Sequence, residues 1–200
     1  MTIMKVGRPN KFDRSQAIET AKEAFWKQGY NVLTASQLAS IMGITRSSFA
    51  NSFSDKQGLF KEVLALYKQT EPYIILVNID EVALIKPKLA EFFKEVCRTR
   101  IHDQGKQGCL IVNTISEVIG SDDMIANDME TVMLSSIELF ENLLNRGISN
   151  NELPSDYKVN ITAKALVTFN MGLSNLSKVL RDEQQLWEVC EDFLITHQLT

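Results

Sequence analysis

Residues 1–200 are predicted to form an all-α protein of about nine helices: a three-helix unit containing a helix-turn-helix in residues 1–60, and a helical bundle over residues 61–200. Two observations carry that expectation. Apolar residues recur at three- and four-residue intervals along the long segments, the period of a helix with one buried face. Residues that cap helices, Asp13, Thr34 and Thr45, stand just before such segments, and Gly29 and Gly43 stand just after them. With 44% apolar residues in 200, the chain can bury a core of this size.

Asp13 is placed to cap a first helix over about 14–28, whose apolar positions Ala17, Ile18, Ala21, Ala24 and Phe25 share one face, and Gly29 ends it. Thr34 caps a second helix over about 35–42, with Leu38 and Ile41 on one side and the small Ala39 admitting a neighbouring backbone. Gly43 stops it, Ile44 packs inward, and Thr45 caps a third short helix, 46–52, held by Phe49 and Phe53. A glycine that turns the chain sharply, followed two residues later by a new cap, sets two short helices at a steep angle, which is a helix-turn-helix. Ser54 is expected to cap a fourth helix with Lys56 in its first turn, where a cation sits badly beside the helix dipole unless a phosphate lies between. Further helices are read over about 80–101, 109–119, 122–145, 155–180 and 183–197, with loops at 105–108, 120–121 and 150–154.

The buried side of the third helix fixes what its other side presents. Opposite Phe49 and Phe53 stand Ser47, Ala50 and Asn51, flanked by Arg46 and Ser48, a small polar set with little use in a core. Such a face suits phosphates and base edges, where Arg bonds guanine and Asn bonds adenine in the major groove. The charge distribution agrees. Residues 1–60 hold Lys5, Arg8, Lys11, Arg14, Lys22, Lys27, Arg46 and Lys56 against Asp13, Glu19, Glu23 and Asp55, a net of +4, which leaves −8 for the remaining residues of a chain at −4 overall. A basic first third on an acidic remainder is expected where the first part alone meets a polyanion. The candidate DNA-binding residues are therefore Thr34, Thr45, Arg46, Ser47, Ser48, Asn51 and Lys56, with Arg8 and Lys11.

The stretch Gly7-Arg-Pro9, Ala24-Phe-Trp-Lys-Gln-Gly-Tyr30, Thr34, Leu38-Ala39, Met42-Gly-Ile-Thr-Arg-Ser-Ser-Phe49 and Phe53-Ser-Asp-Lys56, then Leu59-Phe60, closely resembles the DNA-binding domain of TetR-family transcriptional regulators over about residues 7–65. That resemblance implies a homodimeric repressor that binds double-stranded DNA at a palindromic operator. Two positions depart from the family pattern: Ala50 stands where most members carry Tyr, and Ser52 where many carry His. A phosphate contact made by that Tyr is absent here, so different operator contacts are expected. In the family, residues 66–200 would form the effector and dimer domain, and its last two helices would meet their twins in a four-helix interface. Phe169, Leu173, Leu176, Leu180, Val189 and Phe193 are the dimer candidates, with closure of the protomer's own core as the competing reading.

The segment Gly108-Cys-Leu-Ile-Val-Asn113 resembles the start of the sixth helix in one branch of the family, where some members react with electrophiles or oxidants through the equivalent Cys. A thiol at the start of a helix has its thiolate stabilised by the dipole and the free amides, which raises its reactivity. Cys109, Asn113 and Lys178, the last matching a Lys on the family's eighth helix, are the thiol-sensor candidates, and a small buried packing residue is the competing reading of Cys109. Cys97 and Cys190 are read as core. The other route to a response is a small apolar or aromatic ligand, for which Phe92, Phe93, Met129, Met133, Phe140, Phe169 and Met171 would provide a lining or a core.

Other functions find little support. His102 and His197 lack a Glu-x-x-His partner, and no phosphate loop or Cys-x-x-Cys occurs, so no catalytic residue, metal or cofactor is expected. Ser155-x-x-Lys158 matches a Ser-Lys nucleophile pattern over four residues, and Ser155 simply follows Pro154. An activating or ligand-independent DNA-binding regulator is the rival that shares the fold. The longest apolar run, 73–77, is far short of the roughly 18 residues a membrane span requires. No membrane partner is expected, and with no export signal at the N-terminus the expected location is the cytoplasm.

Overall fold

A computed structural model describes residues 12–80, 82–120 and 123–200. Ten helices run through them: α1 Arg14–Gln28, α2 Ala35–Ile41, α3 Arg46–Phe53, α4 Lys56–Thr70, α5 Ile74–Val77, α6 Ile85–His102, α7 Leu110–Val118, α8 Asp123–Ser149, α9 Val159–Leu176 and α10 Glu183–Thr196. No strand occurs among the described residues, and none of their helices is long and apolar enough to cross a membrane.

Local chemistry sets the first boundaries. The Asp13 carboxylate accepts from the Gln16 amide at 3.0 Å, and the Thr45 hydroxyl from the Ser48 amide at 3.1 Å. Thr34 and Gln37 form a reciprocal capping box at the start of α2. The cap of α4 is Asp55, which accepts from the Gly58 amide at 2.7 Å, and not Ser54 as the sequence suggested. Ser54, with φ +64° and ψ −65°, is the centre of a γ-turn closed by the Asp55 amide on the Phe53 carbonyl at 2.8 Å, which swings the chain from α3 into α4, whereas a cap needs the extended backbone that Asp55 supplies. Gly58 is required by that swing, because a Cβ there would lie 2.2 Å from the Phe53 carbonyl oxygen.

Three further differences have physical causes. The helix beyond the nine expected, α5, is four residues long, too short to show a period in sequence. The ninth starts at Val159 and not 155, since residues 154–158 form a turn in which the Tyr157 hydroxyl reaches the His197 carbonyl at the end of α10. It ends at Leu176 and not 180, where Arg181 takes over: its guanidinium donates to the carbonyls of Ser177 at 2.9 Å, Arg100 at 2.7 Å, Asp103 at 2.8 Å and Ile101. One cation thus serves the exposed carbonyl ends of both α6 and α9.

Two apolar clusters organise the interior. The first holds Phe25, Tyr30, Leu38, Phe49, Phe53 and Phe60 from α1 to α4 and continues without a break into Leu110, Val112 and Val118 of α7 and Ile125 and Met129 of α8. The second joins α6, α8, α9 and α10 around Phe92, Phe93, Phe140, Leu144, Leu166 and Leu194. Cys97 on α6 and Cys190 on α10 are buried in it with their Sγ atoms 3.5 Å apart.

Candidate nucleic-acid interface and effector cavity

Phe49 and Phe53 lock α3 by burying one side of it, ring to ring at 5.6 Å. Arg46, Ser47, Ala50 and Asn51 are exposed on the other, and Ser48 is half-buried. Thr45 ties Ser47 and Ser48 together through its hydroxyl, at 3.0 and 2.9 Å. The start of α3 therefore presents short hydroxyls, one guanidinium and one amide on a rigid base. Thr34, exposed at the start of α2, adds a second helix N-terminus. Arg8 and Lys11 lie outside the described residues.

Lys56 points elsewhere than expected. Its ammonium donates to the Tyr30 carbonyl at 3.2 Å and lies 3.9 Å over the Tyr30 ring, so the turn after α1 supplies what a phosphate was invoked to supply. Arg14 has a structural part that the sequence did not signal: it sits 4.8 Å over the Phe53 ring, donates to the Ser52 carbonyl at 3.1 Å and pairs with Glu62. It holds the end of α3 between α1 and α4.

A cavity of about 450 Å³ opens among α4 to α9. Of the expected lining residues, Met133 and Met171 border it, and so does Cys109; Phe92, Phe93, Phe140 and Phe169 pack in the second cluster and Met129 in the first, and do not. Most of its wall is aliphatic, but one side is polar and buried. There Arg100, 2% exposed, is paired with Glu71, 6% exposed, through Nη1 to Oε1 at 3.3 Å and Nη2 to Oε2. Burial alone would make the Arg100 guanidinium easier to deprotonate, yet the neighbouring Tyr67, Cys109 and Glu71 raise its affinity for the proton above the ordinary value. Tyr67 accepts from the Leu110 amide at 3.1 Å and is engaged by the Cys109 thiol. Burial first, and Cys109 next, push both the Tyr67 and Tyr73 phenols well up.

Cys109 is the cap residue of α7, one position before the helix proper, and it is buried against this wall. Lys178 donates to Asn113 Oδ1 at 2.6 Å, and Asn113 Nδ2 to the Gln107 carbonyl at 2.8 Å. The Lys178 stem runs against Gly108, so the three thiol-sensor candidates do gather around the start of α7. At the other end of that helix, Glu117 accepts from the Asn31 amide at 3.1 Å, and Asn31 Nδ2 donates to the Glu117 carbonyl at 2.8 Å. The carboxylate rests on Gly29, where φ is +90° and a Cβ would meet it at 2.6 Å. Nothing in the sequence marked Glu117, because its partners lie 86 residues away.

Of the dimer candidates, Leu173 is buried within the protomer, and Phe169 and Phe193 stack on each other at 4.0 Å. Leu176 and Val189 are exposed, as are Ile161 and Ile195. Among the described residues no three His, Cys, Asp or Glu side chains gather as a metal site.

Residues 17–63 match the family described as bacterial regulatory proteins, tetR family, and residues 86–193, more than half of the chain, match the tetracyclin repressor-like C-terminal domain. The chain belongs to the TetR family. Like its relatives in the TetR family it is a DNA-binding transcriptional regulator and not an enzyme. The uncharacterized HTH-type transcriptional regulator YezE of Bacillus subtilis is 24% identical over 182 residues, 90% of this chain and 94% of its own. The HTH-type transcriptional repressor ComR of Escherichia coli is 24% identical over 170 residues, 84% of this chain and 80% of its own. Among solved structures, the TetR-family regulator CifR, as a C99T-C181R cysteine mutant in complex with 26-base-pair operator DNA, superposes with a TM-score of 0.83 at 27% identity, covering 94% of this chain and 98% of that one.

Proposed function

We propose that the protein is a homodimeric repressor that grips a palindromic operator through the starts of α2 and α3 and lets go when a small molecule fills the cavity or Cys109 is modified. The reading rests on the geometry of α7. This nine-residue helix spans about 13 Å, with the cavity and Cys109 at its first end and the grip of Glu117 on Gly29 and Asn31 at its last. A shift at either end is felt by the turn that leads into α2. Release then follows from any ligand or adduct that favours the shifted arrangement, by the difference in its affinity for the two states.

In each protomer Arg46, Ser47 and Asn51 enter one major groove, with Thr34, Thr45 and Ser48 toward the phosphates and Lys56 bracing the turn above them. Arg8 and Lys11 precede α1 and are assigned to the backbone as well. The dimer forms through the outer faces of α9 and α10, where Ile161, Leu176, Val189 and Ile195 are exposed. Repression by ComR and operator binding by CifR agree with this reading. Residues 1–60 act as the DNA-binding domain, residues 61–200 as the effector and dimer domain, and the protein works in the cytoplasm.

Selection of bound duplexes from a random library, with untreated protein and with protein exposed to a quinone, is the test. A palindromic motif that disappears on treatment and persists in Cys109→Ser supports both parts. A motif that persists in untreated and treated wild type alike moves release to non-covalent ligands. No motif at all refutes the reading.

A further inference from the structure

Two residues that line the cavity each carry a buried polar atom without a hydrogen-bond partner: Arg100 Nε, a donor, and Asn170 Oδ1, an acceptor. Each belongs to a side chain that is otherwise engaged. The two terminal nitrogens of Arg100 are taken by Glu71, and Asn170 Nδ2 donates to the Tyr73 hydroxyl at 3.5 Å. Arg100 is 2% exposed and Asn170 8% exposed, so bulk water does not serve either atom directly. Buried polar groups are ordinarily paired, and two unpaired ones on residues that line the same cavity make a recognition element for a polar head that enters it.

We propose that the cavity takes a small, neutral, largely apolar molecule whose polar head both accepts and donates one hydrogen bond, a hydroxyl or a primary carboxamide, set between Arg100 Nε and Asn170 Oδ1. The charge of the wall excludes ions. Arg100 is already balanced by Glu71, so a carboxylate would have to face Glu71 to reach the guanidinium, and an ammonium would have to sit beside Arg100. Lys68, the remaining charged residue of the lining, is exposed at the rim. The rest of the wall, with Val112, Val132, Met133, Leu139 and Val167, suits an alkyl or aromatic body. A head of this kind also reproduces the bonds of any water it displaces, which a purely apolar or acceptor-only ligand fails to do.

The proposal rests on the cavity being the effector site, and the experiment separates the two. Calorimetry with the full-length protein would compare 4-propylphenol and 4-propylbenzamide with 4-propylanisole, which accepts but does not donate, and with 4-propylbenzoate, which is charged. Either or both of the first two should bind at least about tenfold more tightly than the last two. Asn170→Leu should erase the preference over the anisole while its thermal unfolding stays cooperative, and Met133→Trp, which fills the cavity, should abolish binding of all four. Because Arg100→Met alone would strand Glu71, the paired Arg100→Met and Glu71→Met variant serves as the second probe and should weaken binding of the phenol and the benzamide, whose heads then lose the bond from Arg100 Nε. Equal or tighter binding of the anisole or the benzoate overturns the proposal, as does binding of none of the four or a preference over the anisole that survives Asn170→Leu. If the preferred ligand binds as expected but does not free operator DNA, the ligand class stands and the release reading falls.

Discussion

Arg46 and Lys56 show how differently two cations at helix starts are used. Residue type and position make both of them DNA-contact candidates. Arg46 is exposed on the outer face of α3, whereas Lys56 folds back onto Tyr30. The difference was illegible because the Tyr30 carbonyl reaches Lys56 through the tertiary fold. Arg46→Ala should therefore weaken binding to the selected operator by about 1–3 kcal/mol and relax the preference at one base position, measured by gel shift over a panel of single-base variants. Lys56→Met should instead lower thermal stability. At the cavity wall, the buried phenols of Tyr67 and Tyr73 have proton affinities raised above the ordinary value of 10.0. In the unfolded chain they ionise near that value, in the folded one later, so the folded state holds more protons and stability falls as pH rises past about 10. The midpoint of thermal unfolding should drop between about pH 9 and about pH 11, and Tyr67→Phe should soften that drop.

Among the elements, those bounded by local chemistry were legible and those bounded by distant contacts were not. Asp13, Thr34 and Thr45 act within three residues of themselves, and the starts of α1 to α3 follow from them. The limits of α9 depend on Tyr157 meeting α10 and on Arg181 meeting α6, contacts that no local pattern encodes. The start of α7 was placed within one residue, yet the part of the cavity that Cys109 faces came from the fold, since Glu71 and Arg100 are 29 residues apart and Asn170 is farther still. In the proposed function helix α7 is the transmitting element. Glu117→Ala should leave operator affinity without effector within about threefold and shrink the effector's influence, ordinarily about 5–150-fold, toward none, read by titrating operator with and without ligand. A full effector response in that variant would show that coupling runs elsewhere.

For the whole molecule, charge is basic over the first third and acidic over the remainder, the division expected if the first part alone meets a polyanion, and the exposed apolar residues of α9 and α10 lie on the acidic part. The sequence stripes on those two helices mixed inward and outward residues, because a helix buried on two sides shows one broad apolar face. The structure sorts them, putting Leu173 inside and Leu176 and Val189 outside. Leu176→Glu together with Val189→Glu should turn a dimer into a folded monomer in sedimentation and cost most of the operator affinity, while a dimer that survives both changes would move the interface to another face.

The burial of Cys97 and Cys190 across α6 and α10, with Cys109 set at a cavity wall, divides the three thiols into a pair sealed in the core and one beside open space. A chromogenic thiol reagent therefore keeps time on two clocks: an early one set by passage into the cavity, and a late one that ticks only when α10 lifts from α6. The number of sulfurs titrated at each moment distinguishes a protein that is breathing from one that is coming apart, without any added label.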